Sequence, residues 1–60
     1  MKKYKVGDLV RFTTDTGTHT GTIVSLYALP KENDLADIES EDNKQLFLCI
    51  VTDYLEPVEN

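Results

Sequence analysis

Val6, Val10 and Phe12 share one parity along the chain, as a strand with one buried face requires. Asp8 and Leu9 interrupt the alternation just after Gly7, and the spacing predicts a first strand over residues 6–14. Asp15-Thr16-Gly17 reads as a tight turn, because Asp can bond its own backbone and Gly tolerates positive φ, so a hairpin follows. Residues 18–28 are rich in Thr, Ile, Val, Leu and Tyr and predict a second strand, long enough to curl between two sheets, with a bulge or bend at Gly21. Pro30 and Asn33-Asp34 predict a mobile surface loop over residues 30–34. In residues 35–39, Ala36 and Ile38 alternate with acids, and a polar turn over residues 41–44 precedes residues 45–51, so a second hairpin is predicted. The apolar run over residues 46–51 is too short for an ordinary helix and predicts a central strand buried on both faces, the spine of the core. Residues 52–58 suit one helical turn started by Thr52 or Asp53, then an extended piece with Pro57 at a sheet edge.

Five short strands with almost no helix are best buried by closing into a small barrel, which limits unpaired edges. The fold class expected is all-β, a five-stranded barrel with one short 3-10 turn before the last strand. The expected core is Val6, Val10, Phe12, Ile23, Leu26, Ile38, Leu46, Leu48, Ile50, Leu55 and Val58.

Composition narrows this picture. Sixty residues hold one domain, residues 1–60, which buries about 60% of its unfolded surface and has no room for a large active-site cleft. Forty percent hydrophobic and 28% charged residues, with two Pro and three Gly, argue for a folded chain. No apolar run reaches a membrane span, and the basic start leads into Val6-Gly7-Asp8 instead of an apolar signal core, so a soluble cytoplasmic protein is expected. One cysteine, Cys49, excludes an internal disulfide framework and a cysteine-built zinc site. No metal and no cofactor are expected, and stability must come from packing, helped by self-association.

The net charge of −5 is unevenly placed. Residues 1–27 carry Lys2, Lys3, Lys5 and Arg11 against two acids, whereas residues 28–60 carry Lys31 and Lys44 against nine. Four cations near one end of an acidic chain disfavour generic nucleic-acid binding. The acidic half reads first as a solvated face that keeps the protein soluble.

Val6-Gly7-Asp8-Leu9-Val10-Arg11-Phe12, Thr20-Gly21-Thr22-Ile23-Val24 and Asp53-Tyr54-Leu55-Glu56-Pro57-Val58 together resemble the small SH3-like barrels of the KOW type. In that group a Gly-Asp opens the first strand, a Gly-x-Val/Ile sits in the second, and a one-turn helix ending in Leu leads into the last. The resemblance covers nearly the whole chain and is closest to short stand-alone bacterial barrels whose role is mostly unassigned. KOW relatives include ribosomal proteins and transcription elongation factors, which implies contacts with RNA or the transcription machinery. The basic loops of the RNA-binding members are missing here, and so are the tryptophan and the aromatic pattern with which eukaryotic SH3 domains hold proline-rich peptides. One fold hosts many functions, so no single role carries over whole.

Candidate chemistry is sparse. Asp15-Thr16-Gly17 matches the tripeptide of retroviral-type aspartic proteases, but the chain is small and Thr13, Thr14 and Thr18 replace the apolar frame that site needs, so a hairpin turn is the better reading. His19, the one histidine, has no ligand or nucleophile near it in sequence and reads as a surface strand residue. Cys49 reads as a small buried thiol. Thr14, Thr16, Thr18, Thr20 and Thr22 alternate strictly, giving a polar β-branched outer face or a flat hydroxyl surface for a ligand.

Asp37, Glu39 and Glu41 also alternate, about 6.6 Å apart on one strand face. They form either a solvated face or an acidic stripe that attracts a basic protein surface, in the extreme by imitating phosphates. Tyr4, Tyr27 and Tyr54 either cap the barrel ends or make a protein-binding patch. No nucleophile, base and orienting group can be named together, so an enzyme is not expected. The function expected is a non-enzymatic interaction module that binds a protein partner, or itself, through an edge strand, through Tyr4, Tyr27 and Tyr54, or through the acidic residues Asp37, Glu39 and Glu41. The alternatives are nucleic-acid or ribosome association through Lys2, Lys3, Lys5 and Arg11, and an acidic mimic that blocks a basic nucleic-acid-binding protein.

Overall fold

Residues of high strand preference fill most of the chain that the computed structural model describes, residues 4–28 and 34–58. They form β1 (Leu9–Thr14), β2 (Gly17–Tyr27), β3 (Leu35–Ser40), β4 (Leu46–Val51) and β5 (Glu56–Pro57), with a 3-10 turn at Thr52–Tyr54 before the last strand. All pairings are antiparallel, and the strands lie in the order β4-β3-β2-β1-β5. The fold is therefore all-β with the expected element order. The loop predicted at residues 30–34 lies outside the described residues but for Asp34.

The sheet is curled, not closed. Phe12 of β1 and Phe47 of β4 stack edge to face with ring centroids 5.0 Å apart, although a flat sheet would hold those strands about 14 Å apart. The expected closed barrel does not form. Its closing strand, β5, is two residues long, and Pro57 has no amide to donate to a further ladder. Among the described residues β5 pairs only with β1, through Val10↔Pro57 and Arg11↔Glu56.

The first strand begins later than expected because residues 5–8 form a turn. The Asp8 amide donates to the Lys5 carbonyl at 3.1 Å, the Lys5 amide donates to Asp8 Oδ2 at 3.0 Å, and Gly7 takes φ 99, as the third position of a type II turn requires. Val6 sits at the exposed second position, 60% accessible, and does not belong to the core. Thr14↔Gly17 closes the first hairpin around Asp15-Thr16, with the positive φ at Gly17.

Gly21 pairs regularly with Val10 and Ser40, so it is not a bulge. A Cβ there would meet Ile38 Cγ2 at 2.8 Å and the Glu39 carbonyl carbon at 2.9 Å, so glycine permits the close approach of β2 and β3. The bulge in β2 falls between Ile23 and Ser25, at Val24. A second register shift, between Ala36 and Ile38 of β3, sets Asp37 against both Leu48 and Cys49 of β4.

Val10, Phe12, Ile23, Ala36, Ile38 and Leu55 are the buried core, with Tyr4, Leu26, Phe47 and Ile50 packed against it. Each such side chain contributes about 1.5–3 kcal/mol when fully buried. The spine is β3, not β4. β4 is an edge strand covered on one face, which leaves Leu46 54% and Leu48 63% exposed; neither is core. Cys49 is likewise an exposed thiol, not a buried one.

A candidate interaction face on β2–β4

Cross-strand partners in a sheet share a face, so the ladder itself sorts the side chains. Ala36 and Ile38 point into the core, which places Leu35, Asp37 and Glu39 on the opposite, outer face of β3. Pairing then sets Tyr27, Leu35 and Val51 in one row at one end of that face, and Thr22, Glu39 and Leu46 in a row at the other. Between them Ser25 faces Asp37, and the two bulges push Val24, Leu48 and Cys49 outward, all three exposed. The outer face of β2–β4 is thus largely apolar, unlike the polar outer face usual for an antiparallel sheet.

Asp37 lies at its centre and is only 9% exposed. Its Oδ2 accepts the Tyr27 hydroxyl at 2.6 Å and its Oδ1 accepts the Cys49 amide at 2.9 Å. Those two hydrogen bonds, the tyrosine first, hold the carboxyl below the usual carboxylate range, while the bond to Asp37 and its charge push the Tyr27 phenol up. The amide bond also holds Cys49 at φ 57, a left-handed conformation that costs a non-glycine residue about 1–2 kcal/mol. The expected stripe of three free carboxylates is therefore not formed. Asp37 is committed to the fold, Glu39 is half-buried beside it, and Glu41 is exposed in the turn after β3, where its amide donates to the Thr20 carbonyl at 2.9 Å.

The three tyrosines do not converge. Tyr4 is half-buried and donates to the Leu55 carbonyl at 2.9 Å, packed against the core. Tyr54 is 72% exposed and lines a shallow open depression with Arg11, Phe12, Thr13 and Glu56, beside β1 and β5. Only Tyr27, 44% exposed, stands on the outer face of β2–β4.

Comparison with family models, with curated proteins and with solved structures finds no match to this chain.

His19 is half-buried, not a plain surface residue. Its ring lies 4.8 Å from that of Phe47 and 5.7 Å from that of Phe12, and Nε2 is within hydrogen-bond distance of Thr16 Oγ1 at 2.9 Å and Thr14 Oγ1 at 3.2 Å. The threonine run is split accordingly. Thr14 and Thr16 turn to His19, whereas Thr18 bonds Thr13 across the hairpin at 3.2 Å. Among the described residues no three His, Cys, Asp or Glu side chains are placed to hold a metal ion, and no helix is long and apolar enough to cross a membrane.

Sequence reasoning named Tyr27, Asp37 and Glu39 but missed Leu46, Leu48, Leu35 and Val51, which it gave to the core or left unassigned. The signal lay in the apolar run itself, since a chain this small has too little second layer to cover both faces of six such residues.

Proposed function

We propose that this chain is a non-enzymatic interaction module, an open relative of the SH3-like barrels of the KOW type, which binds a protein partner through the outer face of β2–β4. The KOW-type part of the reading is supported by the meander from β1 to β4, the return of β5 beside β1 and the 3-10 turn ahead of β5. The binding part rests on one observation: Tyr27, Leu46 and Leu48 are exposed together on a sheet face, where contiguous apolar surface marks protein contacts. The sequence suggests an edge strand, the tyrosines or the acidic residues as routes; this face, which includes Tyr27 but is none of the three, is favoured over the bare edge of β4, whose ladder the Leu48–Cys49 bulge interrupts.

The test is affinity capture by tagged wild-type protein and by a Leu46→Ser, Leu48→Ser variant, each with and without nuclease. Proteins held by the wild type in both nuclease arms and released by the variant support the face. Proteins retained equally by the variant sink it, and proteins lost on nuclease treatment sink it and bring forward nucleic-acid association.

A further inference from the structure

We infer that the occupant of this face is a cationic amphipathic helix of a partner protein, an inference that rests on the interaction-face reading above. Three strands span about 10 Å across, the width of one helix. From the Leu46 row to the Val51 row is about 14 Å along β3, roughly nine residues of helix at 1.5 Å each. A sheet face of this kind is normally covered by a second layer, and a helix laid along the strands is the smallest element that covers it.

Charge selects the sign of the partner. Glu39, Glu41 and Asp42 stand at one end of the face, where the cations among the described residues are Lys44 in the same turn and Arg11, across Thr20 from Glu41; at the other end the Asp34 carbonyl accepts the Thr52 amide, which sets Asp34 beside Asp53, so acids outnumber cations along that rim. A second copy is disfavoured, since a symmetric face-to-face pair in either orientation brings carboxylates against carboxylates. Lysine or arginine flanking an apolar stripe meets the rim from both ends. Exposed rim charges of this kind act mainly on the association rate and are screened by salt.

Fluorescence anisotropy with the whole chain tests this, using three synthetic 14-residue peptides. One has Leu and Lys at helical spacing, one has Glu for every Lys, and one has the Leu/Lys composition scrambled so that no apolar stripe forms. The Leu/Lys helix is expected to bind at least tenfold more tightly than the other two. Leu46→Ser with Leu48→Ser should weaken it at least tenfold, and Glu39→Gln, Glu41→Gln and Asp42→Asn together should weaken it and flatten its salt dependence. These side chains lie at or near the surface, and circular dichroism of each variant checks that the fold is kept.

Equal binding of the scrambled peptide overturns the helix, and equal binding of the Glu peptide overturns the cationic partner; both outcomes leave the face itself standing if the serine variant still loses its captured proteins. A serine variant that keeps both the peptide and those proteins overturns the face as well.

Discussion

The carboxylate of Asp37 takes a tyrosine hydroxyl from one neighbouring strand and a backbone amide from the other, so one side chain ties β2, β3 and β4 together. A carboxyl held below its ordinary range in the folded state stabilises the fold above the unfolded value, and that contribution is lost as pH falls through the folded one. Acid unfolding followed by circular dichroism should therefore show Asp37→Asn with a lower stability at neutral pH and a shallower loss below pH 4. Tyr27→Phe should lower stability in the same direction, since it removes the tyrosine's hydrogen bond to the carboxylate. Cys49 provides a separate check on the bulge. At φ 57, Cys49→Gly should hold or raise stability by up to about 1 kcal/mol, whereas the β-branched Cys49→Val should cost about 1–2 kcal/mol in urea denaturation.

At the scale of the strand, β2 and β3 are held close by a residue with no side chain. Gly21→Ala forces a methyl against Ile38 and the Glu39 backbone, and overpacking of this kind costs about 1–3 kcal/mol; a shift of the urea midpoint with an unchanged slope is the expected readout. The glycine itself was plain in the sequence, but its reason was not. Composition signals a special backbone position without saying whether a bulge or a neighbouring strand demands it. Other elements were readable for local reasons: Asp15-Thr16-Gly17 carries its own turn chemistry, and Thr52–Tyr54 is followed by a buried Leu55 and an edge Pro57. The role of β4 was not readable, because an apolar run has no parity from which to infer a face, and its place at the sheet edge depends on where β5 goes. The Tyr27–Asp37 bond was also hidden, since it joins residues 10 apart through a register that the Val24 bulge sets.

On the molecule as a whole, a net charge of −5 opposes self-association while the outer face of β2–β4 favours it. Sedimentation should therefore show a greater tendency to associate as salt rises, since screening weakens the repulsion and leaves apolar contact intact. Leu48→Lys should abolish that trend.

The hydrogen bond from Tyr4 to Leu55 joins residues 51 apart, and it bears on how the chain reaches its native state. Leu55 is one of six buried core residues, yet it follows every other one in sequence, so the core stays incomplete until nearly the whole chain is present. A partial chain can pair β1 with β2 and still leave Val10 and Ile23 uncovered, and exposed apolar surface of that kind is prone to aggregation.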